Sequence, residues 1–333
     1  MLDSALLILP GVIWGASFLF IAEGLDAVGP NGVTFIRIAI GFITLSFFPA
    51  ARRRIADGDG RATALLGVLW FAFPLSMFPF AEQHVSSALT GMLNGATPLF
   101  TAVAAALFAR RLPTRSIVLG LIVGFAGAVL MGLPGLESNA GSRTGILLIL
   151  AALTSYGVAL NIARPLQLRN GALPVIWRAL GVGLVLTAPL GVSDAMQAHW
   201  SLRPVLALLA LGAFGTGIAN VLVATAAGRM GATRASATAF LIPVVALVLG
   251  VVLRNEYVNV LSIVGVGVCL AGAWMLRLAQ AHDARDAGAA SAMSGKSAGR
   301  QTLSRDSGEL PTPSLCPSSN FADVPSPHAR QGS

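Results

Sequence analysis

The sequence predicts an all-α integral membrane protein: ten transmembrane helices arranged as two inverted five-helix repeats, followed by a disordered C-terminal tail. Three observations predict it. Hydrophobic residues make up 55% of the 333 and charged residues only 11%, against about 25% charged in soluble globular chains. The apolar residues fall into runs of the length that crosses the ~30 Å hydrocarbon core of a bilayer as a helix. Finally, short sequence patterns recur at a nearly constant distance along the chain.

In lipid every backbone polar group must be satisfied internally, so only helices and closed barrels span. Barrel strands alternate apolar and polar residues, and runs such as Ile117 to Met131 and Phe240 to Leu253 do not alternate. The expected helices are 4–23, 33–50, 63–81, 85–109 and 115–133, then 144–163, 175–193, 203–226, 233–253 and 258–278. The first run lacks a basic leader and reads as a retained helix, not a signal peptide. Beyond Arg277 the composition turns to Ala, Ser, Gly, Pro and scattered charge, which buries too little apolar surface to order itself. The domains expected are thus residues 1–137, 138–278 and a disordered cytoplasmic tail at 279–333.

Charge gives the orientation. The net charge of +8 sits in loops without interleaved aromatics, so it does not read as a nucleic-acid surface. Loops after even-numbered helices hold Arg52, Arg53, Arg54, Arg61, Arg110, Arg111, Arg115, Arg164, Arg169, Arg229 and Arg234. Those after odd-numbered helices hold only Arg143, Arg203 and Arg254. The positive-inside rule then places both termini in the cytoplasm. The two cysteines, Cys269 and Cys316, offer neither a disulfide framework nor a zinc cluster.

The repeat is read from position. Pro98 and Pro243, Gly120 and Gly265, and Gly127 and Gly272 share one offset of 145. Earlier, Ile13 to Phe18 faces Ser155 to Leu160 at an offset of 142, and Arg37 faces Arg178 at 141. Five helices per copy means that the second copy enters the membrane from the opposite side. Such inverted halves belong to alternating-access transporters, whose substrate sits near the midplane between them.

The Trp14-Gly15 start with Ser17-Phe18, Arg37 early in the second helix, the Ala/Ser-rich entry to the fourth helix before Pro98, and its recurrence before Pro243 together resemble the EamA-type branch of the drug/metabolite transporter superfamily. The resemblance covers residues 1 to about 278. It implies a ten-helix inner-membrane exporter of amino acids or related small metabolites, working by alternating access; nucleotide-sugar and drug transporters of the same superfamily are the alternatives. Family repeats usually carry a glutamate 13 residues after the repeat proline; here the second copy keeps Glu256 and the first has Arg111.

Charged side chains inside a span are functional candidates, because burying them in hydrocarbon is costly. Arg37 and Arg178 are the two, either holding a substrate carboxylate or snorkelling to the headgroups. Helix breakers in matching places mark interrupted helices that line transporter sites: Pro74 and Pro79 in helix three, Gly212, Gly215 and Gly217 in helix eight, with Pro98 and Pro243 in helices four and nine. The polar residues expected to reach the same cavity are Ser17, Asn94, Thr97, Tyr156, Asn161, Thr216 and Asn220, between walls of Trp14, Phe73 and Phe78. Hydrogen bonds between helices are the competing role for the polar set. Groups able to take a coupling proton are Glu23, Glu82 and His84.

No metal site or cofactor is expected. The four histidines, His84, His199, His282 and His328, lie in separate segments, and no nucleophile and base stand at catalytic spacing. A membrane-embedded enzyme acting on lipid-linked substrates is therefore the weaker alternative, and the chain reads as no enzyme. The expected partners are the lipid bilayer and a small-molecule substrate, with no nucleic acid; a homodimer is compatible with the sequence. The location expected is the cell inner membrane, multi-pass.

Overall fold

The computed structural model describes residues 2–110, 113–138, 140–230 and 236–281. Among them all regular structure is helical. The helices are α1 (Leu2–Leu25), α2 (Pro30–Ser46), α3 (Gly60–Glu82), α4 (Ser87–Ala109), α5 (Arg115–Ser138), α6 (Ala140–Asn170), α7 (Ala172–Met196), α8 (Leu202–Met230), α9 (Thr238–Arg254) and α10 (Val260–Ala281). Eight of these are long and apolar enough to cross a membrane; α2 and α9 are shorter apolar helices. The chain is thus a multi-pass membrane protein.

Helix ends differ from the sequence expectation where capping chemistry intervenes. Helix α2 starts at Pro30, whose missing amide costs nothing in a first turn. The next two amides, of Asn31 and Gly32, donate to Asp194 Oδ2 at 3.0 and 3.2 Å. It stops at Ser46 because Pro49 disfavours helical backbone before it. Helix α6 runs through Pro165 to Asn170, past the expected end at 163. Its last turn is anchored by Arg169 and Asn170 on Asp59, and Gly171, at φ +81, turns the chain directly into α7. Helix α10 runs to Ala281, into the expected tail. The remainder of that tail, with Arg111 and Arg234, lies outside the described residues.

Irregular turns lie at or beside the other helix-break candidates, with a geometry that hydropathy does not encode, whereas Pro79 lies inside the α-helical segment Phe73–Glu82. Helix α3 carries a π-helical stretch at Gly67–Ala72, just before Pro74, and α8 carries one at Leu211–Ile218, which contains Gly212, Gly215 and Gly217. Helix α4 is broken between Asn94 and Thr97, where Pro98 starts the second segment. Helix α9 opens with a 3-10 turn over Ser236–Phe240, three residues before Pro243.

Glycines set the close helix crossings, and the crossings come in matched pairs. A Cβ on Gly41 of α2 would lie 2.6 Å from Thr216 in α8, and one on Gly183 of α7 would lie 3.2 Å from Phe71 in α3. Gly212 abuts the Arg37 carbonyl, and Gly67 abuts that of Ala179. Gly15 packs on Val245, and Gly157 on Phe100. Between α5 and α10, Gly120 meets the backbone of Gly272, and Gly265 meets that of Gly127. Each pair interconverts by adding 142 to residues of α1 and α2 and 145 to residues of α3, α4 and α5.

Both capping ends of the fourth and ninth helices follow the same numbers. Arg110 and Asn255, 145 apart, adopt left-handed backbone at φ 49 and 54 and close α4 and α9. Glu256 then folds back to cap α4. Its Oε1 accepts from Ser87 N at 3.1 Å and Ser87 Oγ at 2.7 Å, and its Oε2 from Ala88 N at 2.8 Å. The carboxylate meets the free amides and positive dipole end of that helix.

Candidate functional site

A cavity of about 230 Å³ lies among α1, α2, α3, α4, α6, α8 and the start of α9. Nine of the residues expected at the cavity line it: Trp14, Ser17, Arg37, Phe78, Asn94, Thr97, Tyr156, Thr216 and Asn220. The wall is mostly aromatic and aliphatic, as small-molecule sites are, with a few polar groups converging on it.

The helix breaks are what bring the polar groups inward. Where α8 widens into its π stretch, the carbonyl of Gly215 is free to accept from Trp14 Nε1 at 2.9 Å. Thr216 Oγ1 donates back to Leu211 O at 3.3 Å and accepts from Arg37 Nε at 3.3 Å, while Asn220 Nδ2 donates to Thr216 O at 2.8 Å. At the α4 break Thr97 Oγ1 donates to Asn94 O at 2.6 Å. Phe78 makes an edge contact with Phe18, ring centroids 5.5 Å apart, and a tilted one with Tyr156 at 5.9 Å.

Arg37 is the dominant electrostatic feature. It sits two turns into α2 and is only 5% exposed, so its guanidinium is held inside the protein and does not snorkel. Nε has Thr216 as partner, whereas Nη1 is buried with no hydrogen-bond partner. A buried guanidinium nitrogen without an acceptor is unfavourable, and a bound carboxylate would supply the acceptor.

Three candidates do not reach the cavity. Phe73 is 40% exposed on the outer face of α3. Asn161 spends its amide on the carbonyls of Thr101 and Gly157, at 2.9 and 2.8 Å. Arg178 donates to Pro174 O at 3.2 Å and lies over the Trp177 ring, 5.5 Å from its centroid. The offset of 141 that matches Arg37 with Arg178 is one residue out of the packing register, in which Arg37 corresponds to Ala179. One residue is ~100° of helix rotation, which turns Arg178 away.

Of the proton-site candidates, Glu23 is engaged by Arg254 at 2.9 Å and by Arg203, and His84 is exposed. Glu82, at the end of α3, has both carboxylate oxygens buried and without a hydrogen-bond partner. At the opposite end of α3, Asp59 is held below the usual carboxylate range by hydrogen bonds from Arg169 and Asn170. Among the described residues no group of three or more His, Cys, Asp or Glu side chains is placed to hold a metal ion.

Sequence reasoning missed Phe18, Ile21, Trp70, Phe71, Leu75, Leu160, Ala239 and Ile242 as cavity residues. The register contained most of them. Trp14 and Tyr156, and Phe18 and Leu160, are pairs at 142. Trp70 and Gly215, Phe71 and Thr216, Leu75 and Asn220, Asn94 and Ala239, and Thr97 and Ile242 are pairs at 145, and all line the cavity.

The chain is similar to known transporters over most of its length. The sequence model of the EamA-like transporter family matches it at residues 3–133 and again at 143–278. A probable terminal-alkyne amino-acid exporter of Streptantibioticus cattleyicolor is 28% identical, over 81% of this chain and 91% of that protein. The uncharacterized inner membrane transporter YedA of Escherichia coli K12 is 27% identical, over 77% of this chain and 84% of its own. The uncharacterized transporter YdfC of Bacillus subtilis is 27% identical, over 78% and 86%. One solved crystal structure shares the fold with a TM-score of 0.52 at 19% identity, covering 82% of this chain and 99% of that one. The chain belongs to the EamA-like transporter family.

Proposed function

We propose that the protein is a secondary transporter of the inner membrane that exports amino acids or related small metabolites by alternating access. Its ten helices form two inverted repeats, residues 1–137 and 138–278, with both termini in the cytoplasm. The observation that carries the substrate reading is the buried, under-partnered guanidinium of Arg37 in an aromatic-walled cavity. A carboxylate takes the guanidinium, and the apolar remainder of the solute takes the walls formed by Trp14, Trp70, Phe71, Phe78 and Tyr156.

The double family match and the two-number register of glycine crossings and cavity-lining pairs support the inverted repeat. Two nearly equivalent halves can pack in either of two orientations at similar energy, which is the physical basis of alternating access. Export is supported by the relative named as an amino-acid exporter. The cavity is at the small end of ligand sites, which favours a metabolite of amino-acid size over a nucleotide sugar.

The test is counterflow. Purified protein in liposomes loaded with unlabelled proteinogenic L-amino acids is expected to take up labelled members of the same set transiently above equilibrium. Flat uptake across the set, indistinguishable from empty liposomes, would overturn the reading.

A further inference from the structure

Glu82 does not line the cavity described above and is half-buried as a residue, yet its carboxylate is buried in a way that needs explanation. Leu75, Phe78 and Glu82 stand at i, i+3 and i+7, on one face of α3. Leu75 and Phe78 line the cavity, so Glu82 continues the cavity-facing stripe one turn further out. Both of its oxygens are buried, and neither has a hydrogen-bond partner among the described residues.

The charged surroundings are mixed. Glu256 comes from the connection after α9, Arg254 from the end of α9, and Arg37 from α2; these act on Glu82 through the interior. Helix α1 contributes Glu23, already engaged with Arg203 and Arg254. Helix α6 contributes the phenol of Tyr156, against Phe78, and near its start the exposed Arg143, two residues from Gly145, which packs on Ala81 and His84. His84, two residues on, is exposed. Arg254 is taken by Glu23 and Asp26, and Glu256 by the α4 cap. An ionised carboxylate here would lack both water and a hydrogen-bonding cation, a costly state that a bound proton removes.

We propose that Glu82 is the proton site of a proton-for-substrate exchange. The site carries a proton when the cavity is empty. When an amino acid enters, its carboxylate takes Arg37 and its ammonium lies along the Phe78 to Glu82 stripe. The O–H bond of Glu82 then breaks, the proton leaves to the water on the side the site faces, and the carboxylate pairs with the ammonium. Proton and substrate are mutually exclusive occupants, so an inward proton gradient drives the substrate outward. This rests on the transporter reading above.

The experiment uses the full chain in liposomes with the labelled L-amino-acid mixture as probe. Wild-type protein should perform counterflow and, with the lumen acidic and the bath neutral, accumulate label above the bath concentration. Glu82→Gln, which keeps a hydrogen-bond acceptor for the ammonium but has no proton to release, should retain counterflow at a raised KM and lose the pH-driven accumulation down to the empty-liposome level. Counterflow in the wild type without pH-driven accumulation overturns the proton site and leaves the transporter reading standing. So does accumulation in Glu82→Gln equal to that of the wild type. No counterflow in the wild type overturns the transporter reading and the proton site with it. A second readout needs no variant. Dicyclohexylcarbodiimide, which adds to protonated carboxyls in apolar surroundings, should label Glu82 in peptide mass spectra, and the amino-acid mixture should slow the labelling. Label confined to other carboxylates overturns the proposal.

Discussion

Arg37 shows how much a single side chain determines in this protein. Its Nε is satisfied by Thr216 and its Nη1 by nothing, while Arg178 donates to the Pro174 carbonyl and lies over the Trp177 ring. On the proposed reading, removing Arg37 removes a charge-assisted hydrogen bond to substrate, of about 1.5–3 kcal/mol, or roughly tenfold and more in affinity. Arg37→Ala is expected to cut counterflow by about that factor, whereas Arg178→Ala should leave it unchanged; initial rates per folded molecule measure both. The contrast also marks the limit of reading the sequence. Both arginines looked equivalent at an offset of 141; the first helix pair already stood at 142, and the glycine crossings extend that number to the second pair. Phe73 misled for the same reason: residue type alone does not say which way a helix face points.

At the scale of elements, the helices themselves were legible because lipid dictates their length and composition, while their ends were not. Ends depend on which distant group caps them, as Asp194 caps α2 and Glu256 caps α4. The π stretches at Gly67–Ala72 and Leu211–Ile218 escaped too, although Pro74 and the glycines of α8 marked their neighbourhood. Glu256→Ala strands the amides of Ser87 and Ala88 and is expected to cost about 0.5–2 kcal/mol, read as a lowered Tm in detergent. The Asp59 cluster makes a smaller, pH-dependent contribution. Its carboxylate is depressed in the folded state, so its stabilisation is present above the unfolded carboxylate range and lost as pH falls through the folded value. Asp59→Asn should therefore lower stability at neutral pH while narrowing its gap to wild type in acid; thermal melts across pH check the sign.

For the whole molecule, α5 and α10 are held by backbone against backbone at Gly120, Gly127, Gly265 and Gly272, with Cys269 buried beside Gly127. A side chain at Gly127 or Gly272 has nowhere to go, whereas a Cβ on Gly267 meets nothing within 4 Å. Gly127→Val and Gly272→Val are expected to reduce the yield of monodisperse protein to a similar degree, and Gly267→Val to leave it unchanged. Matched losses on the two helices are what the proposed repeat requires. The repeat was legible from a few prolines and glycines because these residues occupy places where no side chain, or no amide, is tolerated. Its full extent, seven pairs around one cavity, emerged only when the packing supplied the register.

Alternating access makes one demand that no static site or one-sided pore meets: the same cavity must reach water from both faces of the membrane. Thr97 lines the cavity at the α4 break. In a protein with Cys269→Ala and Cys316→Ser, Thr97→Cys should react with a membrane-impermeant maleimide applied from the outside of right-side-out vesicles and from the outside of inverted ones. In both preparations the amino-acid mixture should slow the reaction. Modification from one face only, with and without the mixture, would contradict alternating access at this cavity.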